Sequence, residues 1–236
     1  MKKRVAVTLV WLGVLFLLTG CSDTSGNKAY EREPEGKDEL SVLSETAVET
    51  EDGTVLSWAG EDMLYMYPTD VPAEELLVRV KEDGFVVMES GNLVSGEENW
   101  HAFLERIKSG GNAQMQIASY YTLNKDRVSA EYYETYKEEY PKLYLSSILF
   151  YGGKYWMVTK AHNTNEIENG DFTMWNYLME YEGEPSSHSA PFSRYEYYVL
   201  TNDNTVSWND LEHGMYSSIM GDYIPHRMVV SKRYYD

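Results

Sequence analysis

Cys21 is the only cysteine in the chain, and that limits the fold more than any other feature. No disulfide can close within the molecule, so in an oxidising compartment its stability must come from a buried core alone. The 236 residues, 43% hydrophobic and 25% charged, have a globular composition that excludes wholesale disorder and collagen-like repeats, and one domain is the default. Twenty Lys and Arg stand against 38 Asp and Glu, a formal net charge of −18. Bulk charge of that sign repels nucleic acid and anionic lipid, so no nucleic-acid partner is expected.

Lys2, Lys3 and Arg4 open the chain, and an apolar run follows from Val5 to Leu18, broken only by Thr8 and Gly13. That order predicts a secretory signal. The run is 14 residues, whereas a helix needs roughly 20 to span a bilayer, so a segment that is removed is preferred over a permanent transmembrane helix. The run ends in Leu18-Thr19-Gly20-Cys21, which resembles the lipobox of bacterial lipoproteins. The resemblance implies that the Cys21 thiol receives a diacylglyceryl group, that a peptidase cuts just before it, and that the new amino terminus can be acylated too. Small Thr19 and Gly20 suit the approach of a protease to the backbone, and a thiolate is the nucleophile such alkylation needs. Two acyl chains, at about 0.8 kcal/mol per buried methylene, give stable anchoring. The bland alternative is an ordinary signal peptide ending beside an incidental thiol, whose cleavage site would more often follow an A-x-A pattern. Loss of residues 1–20 removes three cations and no acids, taking the formal charge from −18 to −21. Repulsion within a Debye length of an anionic surface, ~8 Å, should make the folded part stand off the membrane.

After Cys21 the composition turns to Ser, Thr, Gly, Asn and acids, as in Glu31-Arg-Glu-Pro-Glu-Gly-Lys-Asp-Glu39. Residues 21–52 therefore read as a lipidated, flexible, acidic tether with a reach of about 30 Å, too polar to offset its ordering entropy. An early start of the domain at Leu40 to Val48 is the alternative. Residues 53–236 read as the extracytoplasmic domain, since apolar density rises from Val55 and suffices for one core.

Within the domain, Val71-Pro72 through Gly84 has the acid-first, base-last pattern of a helix. Ser95-Gly-Glu-Glu98 has capping-box spacing, and Trp100, Phe103, Leu104 and Ile107 then share one helical face. Ser207-Trp-Asn-Asp210 repeats the cap ahead of Trp208, Leu211, Met215 and Ile219, although Gly214 should weaken that helix by ~1 kcal/mol. Leu143–Tyr151 and Lys154–Lys160 flank Gly152-Gly153 and predict a hairpin. Residues 113–122, 128–136, 174–181, 194–201 and 227–234 are rich in Tyr, Val, Ile and Trp and read as further strands. The expected class is α+β, an antiparallel sheet with about three helices packed on it, preceded by a signal peptide and tether. Asp83-Gly-Phe-Val-Val-Met88, a helix carrying Trp100-His-Ala-Phe103 and Ile107-Lys-Ser-Gly110, and then Ala113 to Thr122 together resemble an uncharacterised domain family of Firmicute lipoproteins over residues 70–160. That resemblance implies fold and location, and offers no activity.

Chemistry is harder to read. His101, His162, His188, His213 and His226 lack the short spacings of metal sites, so structural or surface roles are expected and neither metal nor cofactor is assigned. Ser25-Gly-Asn-Lys28 has S-x-x-K spacing, but in a stretch too polar to fold, and no G-x-S-x-G, P-loop or dinucleotide fingerprint occurs. A Ser/His/acid triad from distant positions stays open. Asn202 to Glu212 offers alternating oxygen side chains that could coordinate calcium, yet lacks the EF-hand glycine, and a loop leading to a helix cap is preferred. The 21 tyrosines include the pairs Tyr120-Tyr121, Tyr132-Tyr133, Tyr197-Tyr198 and Tyr234-Tyr235. In strands each pair should send one ring inward and one outward. Outward rings could stack on sugars or clamp peptides, although tyrosines filling half-buried sheet positions with wet hydroxyls are the preferred account. The sequence thus predicts a membrane-anchored extracytoplasmic lipoprotein, held through lipid on Cys21. It would be a non-enzymatic module binding an envelope protein, peptide or glycan, with an envelope hydrolase of scattered site residues as the alternative.

Overall fold

The computed structural model describes residues 66–164, 173–187, 190–217 and 222–235, with residue 64 and three short strands at 27–29, 48–49 and 55–57. The elements run β1 (Asn27–Ala29), β2 (Val48–Glu49), β3 (Val55–Ser57), α1 (Ala73–Glu82), β4 (Val86–Glu89), β5 (Asn92–Ser95), α2 (Glu97–Lys108) and β6 (Ala113–Tyr121). After these come α3 (Ala130–Tyr136), β7 (Lys142–Tyr151), β8 (Lys154–Ala161), β9 (Thr173–Trp175), β10 (Tyr177–Gly183), β11 (Arg194–Thr201), α4 (Trp208–Tyr216) and β12 (His226–Tyr234). Cys21 and residues 1–20, expected as a signal, together with Ser25, His188 and Ile219, lie outside the described residues.

The mixed helix and strand content matches expectation, but the single antiparallel sheet does not. There are two main sheets, one six-stranded in the order β5-β4-β6-β7-β8-β9 and one four-stranded in the order β1-β10-β11-β12. The first is mixed, because β4 and β6 run parallel while every other pair is antiparallel. The chain leaves β4 by the β5 hairpin, returns through α2 and lays β6 beside β4, the crossover that a parallel pair requires.

Three separate apolar clusters explain the layering. On one face of the six-stranded sheet, Leu76, Leu77 and Val80 of α1 meet Val87, Ala118, Leu143, Leu145 and Trp156. Its other face, with α2, meets the four-stranded sheet around Trp100, Ile117, Ile148, Tyr155, Tyr198 and Val230. The far face of the four-stranded sheet is covered by α4, whose Trp208 and Leu211 meet Tyr181, Tyr195, Tyr197 and Val199. The stack is therefore helix, sheet, sheet, helix, with α2 wedged into the middle layer. Trp100, fully buried, fixes that wedge with its ring 5.0 Å from Tyr198 and 5.5 Å from Phe103.

Several local expectations need correction. Residues 128–136 form no strand. Ser129 Oγ accepts from the Tyr132 amide at 3.1 Å and the rings of Tyr132 and Tyr136 lie 4.6 Å apart, so a local cap and an i,i+4 aromatic pair outweigh strand propensity where no neighbouring strand is within reach. The single strand expected over 174–181 breaks at Asn176 into β9 and β10, which belong to different sheets. Asn176 holds that corner, its amide donating to Asn202 Oδ1 at 3.0 Å and its Oδ1 accepting from Lys154 at 2.6 Å. Tyr197 and Tyr198 are both buried, because both faces of β11 are covered. Ser95 caps nothing; it ends β5, and Gly96 takes the N-cap of α2 at φ 79°. Ser207 and Asp210 do form a reciprocal capping box at the start of α4. Gly214 is no simple weakness there, since a Cβ would meet the Asp222 carbonyl at 2.5 Å. β1 and β2 fall inside the segment expected as a tether, and their backbones pair with β10 and β3.

A charged knot ties α2 to the second sheet. Lys232 Nζ lies 2.8 Å from Glu97 and 3.2 Å from Glu196, while Tyr198 and Tyr234 donate to Glu196 at 2.6 and 2.9 Å. The Lys232 hydrogen bond and charge hold Glu97 below its ordinary value. Burial pulls Glu196 upward, but the two tyrosine hydroxyls and Lys232 outweigh it and leave the carboxyl lowered.

Two predictions follow from these contacts. A Cβ at Gly96 would be both left-handed and driven into the Phe85 carbonyl, whereas Gly153 at φ 77° has open space around it. Gly96→Ala should cost roughly 2–4 kcal/mol in urea unfolding and Gly153→Ala about 1 kcal/mol. Depressed carboxyl values mean the native state sheds protons more readily than the unfolded chain. The knot's contribution is thus complete above about pH 4.5 and lost as pH falls through the lowered folded values. Lys232→Met should lower stability at pH 7 by about 2 kcal/mol and flatten the acid limb of a stability–pH curve measured by chemical denaturation.

Candidate functional site: a cleft between the two sheets

The middle layer does not close along its whole length. Where β6 ends and β7 begins, a cleft of about 460 Å³ opens between the six-stranded sheet and the start of β12, a size that suits a small ligand. Strand alternation builds its wall. Ile117, Ser119 and Tyr121 are alternate residues of β6, and Lys142, Tyr144 and Ser146 are alternate residues of β7, so each trio shares a face. Register places Ser119 opposite Tyr144 and Tyr121 opposite Lys142. Across the gap stand His226, Arg227, Met228 and Val229 of β12.

The floor is apolar, made by Ile117, Met157 and Val229, each under a tenth exposed. The mouth is aromatic and polar. Tyr121 is 38% exposed and meets Tyr144 edge-on at 6.1 Å, while Lys142 lies 5.0 Å over the Tyr140 ring and 2.9 Å from Glu139. The Glu139 hydrogen bond is the main reason that the Lys142 ammonium is held above its ordinary value. Halfway down, the opposed residues Ser146 and Thr159 share a hydrogen bond at 2.8 Å, and Arg227 Nη2 donates to Thr159 Oγ1 at 3.3 Å. That chain of three side chains crosses from one sheet to the other and fixes the guanidinium beside the cleft.

His226 contributes a defined tautomer. Its Nδ1 sits 2.7 Å from the Ile224 carbonyl, which can only accept, so the neutral ring carries its proton there and offers Nε2 as an acceptor. Among the described residues no Asp or Glu lines the cleft, although the chain carries 38 of them. The lining thus combines hydroxyls, aromatic rings and cationic nitrogen, a set that can hold an oxygen-rich ligand by hydrogen bonds and ring contact.

Other candidates from the sequence are dispersed. His101 pairs with Glu97 at 3.5 Å on the exposed face of α2 and His213 is exposed on α4. His162 is half-buried, and burial pushes its imidazole down despite the Leu143 backbone contact. Among the described residues no three His, Cys, Asp or Glu gather as metal ligands. The Asn202–Glu212 oxygens serve the local chain: Asp203 accepts from the Thr205 amide at 2.8 Å and Asp210 from the Ser207 amide at 2.9 Å, as a loop feeding a helix cap requires. Sequence reasoning found the three strands that wall the cleft but missed the cleft. The signal was present in I-x-S-x-Y and K-x-Y-x-S, polar and aromatic positions on one face of strands whose other face carries Ala118, Leu143 and Leu145.

Comparison with protein families, with curated proteins and with solved structures finds no match. What the cleft can hold rests on its own chemistry. Thr159→Val keeps the shape and raises strand propensity while removing the oxygen that joins Ser146 to Arg227. It should nevertheless lower stability by roughly 1–2 kcal/mol in a two-state melt, whereas Thr135→Val on exposed α3 should change it by less than about 0.5 kcal/mol.

Proposed function

We propose that the protein is a lipid-anchored extracytoplasmic binding module that captures a small polar ligand, or one unit of a larger one, in the cleft between its sheets. The observation that carries this reading is the cleft itself: an apolar floor, three tyrosines at or near the mouth, and hydroxyl, imidazole and guanidinium groups converging from both sheets. Binding is favoured over hydrolysis because the Ser146 hydroxyl, the buried candidate nucleophile of the cleft, is hydrogen-bonded to Thr159 instead of to a base.

Anchoring rests on the Leu18-Thr19-Gly20-Cys21 resemblance and on the cationic and apolar residues before it. No helix among the described residues is long and apolar enough to cross a membrane. Because β1 begins six residues after Cys21, an anchored chain would keep the β1 edge of the second sheet within about 20 Å of the lipid. That is a tighter leash than a free tether of residues 21–52. Charge repulsion and a short leash then act against each other, which would hold the domain close to the bilayer without adhesion.

Expression of the chain and of Cys21→Ser in a Gram-positive host tests the anchor. The parent should partition into the detergent phase of a cloud-point extraction and show an acylated amino-terminal peptide by mass spectrometry. The serine variant should stay in the aqueous phase. A parent protein with an unmodified thiol would overturn the anchored reading.

A further inference from the structure

The lining of the cleft also names a class of ligand; this inference rests on the proposed binding role. Five of the residues that line it, Ser119, Tyr121, Tyr140, Tyr144 and Ser146, carry hydroxyls. A hydroxyl donates one hydrogen bond, accepts others and rotates to suit its partner. A wall of such groups is matched by a ligand whose own polar groups are equally two-sided, as sugar hydroxyls are. An extended peptide presents fixed donors and acceptors along its backbone, which the edge of a strand serves better than a hydroxyl-bearing sheet face does.

The aromatic rings add a second requirement. Tyr121 and Tyr144 meet at 71° with centroids 6.1 Å apart, and Ser119 lies opposite Tyr144 in the β6–β7 register. An edge-on contact covers one face of one ring, and Tyr121 stays 38% exposed at the mouth. The pair therefore makes an open corner, in which a ligand ring lies against one tyrosine while groups on its rim reach the hydroxyl of the other. A sugar ring has that form, an apolar face of C–H groups inside a rim of hydroxyls. Across the gap the Nε2 of His226 is an acceptor, and the floor of Ile117, Met157 and Val229 takes carbon. A purely apolar ring would give the hydroxyls and the imidazole nitrogen nothing to bond, at a cost to affinity. We infer that the cleft binds a saccharide, one sugar ring lying against Tyr121 and Tyr144 with its hydroxyls directed to Ser119 and to Nε2 of His226.

The test uses the full chain in micelles of a detergent without a sugar headgroup. Saturation-transfer NMR titrations are run with methyl β-glucoside, N-acetylglucosamine, cellobiose, cyclohexanol and a trialanine blocked at both ends. At least one sugar should half-saturate at a concentration about tenfold below that of cyclohexanol and of the peptide, with the C–H protons of one ring face receiving the most saturation. Tyr121→Ala should raise that concentration about tenfold, whereas Tyr121→Phe, which keeps the ring, should raise it less than about threefold. Ser119→Ala should raise it about threefold. Tyr216→Ala, which removes an exposed ring from α4, should leave it unchanged. A thermal melt of each variant separates loss of contact from loss of fold.

Peptide or cyclohexanol binding at least as tight as that of every sugar, and weakened by Tyr121→Ala, would overturn the saccharide class and leave the binding cleft standing. Sugar binding that ignores both Tyr121→Ala and Ser119→Ala, or no binding of any probe at about 10 mM, would overturn the cleft as a site and the proposed function with it.

Discussion

Both main sheets are covered on both faces, and the molecule's other features follow from that double burial. A sheet with one wet face reads as alternating apolar and polar residues, but β7, β8 and β11 have buried residues in almost unbroken succession. Each strand must then feed two cores at once. Leu143, Leu145 and Leu149 face α1 while Ile148 and Phe150 face the second sheet, and Tyr197 faces α4 while Tyr198 faces Trp100. With no disulfide available, this arrangement gives about 180 residues three apolar clusters to share. It also accounts for why α2 enters the middle layer: Trp100, Phe103 and Ile107 on one face of the helix join the apolar cluster between the sheets.

The cleft lies elsewhere in that layer. Beyond Ile117 and Val229 the facing positions switch from aliphatic residues to Ser119, Tyr121, Tyr144 and His226, and the sheets are joined there by hydrogen bonds through Thr159 instead of by interdigitated methyl groups. A bulge between Tyr198 and Val199 shifts the β11–β12 register near this point, which re-aims the first residues of β12. The excursion from β6 to β7 leaves from the rim and contains α3, none of whose residues is buried. The opening is therefore bounded by two strand ends, a bulged strand and a surface arm, all of which tolerate side-chain change with less penalty than the doubly covered centre.

How much of this was legible follows from the range of each interaction. Helices α1, α2 and α4 show in the sequence because their apolar spacing and acid-to-base polarity are local, and the Ser207–Asp210 cap was readable down to the residue. The β7–β8 hairpin was readable from Gly152-Gly153. Residues 128–136 misled because their tyrosines carry a strand propensity that matters only when a partner strand pairs with them, and the described strands pair with one another instead. The division of residues 174–181 at Asn176 depends on Asn202 and Lys154, remote side chains that no window around Asn176 contains. The cleft was illegible for the same reason: its two walls are about 80 residues apart in the chain, and only the fold brings Arg227 to Thr159.

The abundance of tyrosine has an electrostatic side. A chain with 38 carboxylates and 20 Lys and Arg cannot give every buried acid a cation, and an unpartnered buried carboxylate is costly. A tyrosine hydroxyl is a neutral donor carried on a large apolar ring, so it can bury area and satisfy a carboxylate in one residue. Tyr67 donates to Asp83 at 2.7 Å, and Tyr198 and Tyr234 donate to Glu196 at 2.6 and 2.9 Å. Burial first, and then the facing carboxylate, raises the phenols of Tyr67 and Tyr234, so these hydroxyls keep their protons throughout the physiological range. Tyrosine thus shares with Lys232 the holding of Glu196, and with Arg79 that of Asp83 at the surface. The cations can then be placed where charge serves best, as Lys232 is between Glu97 and Glu196.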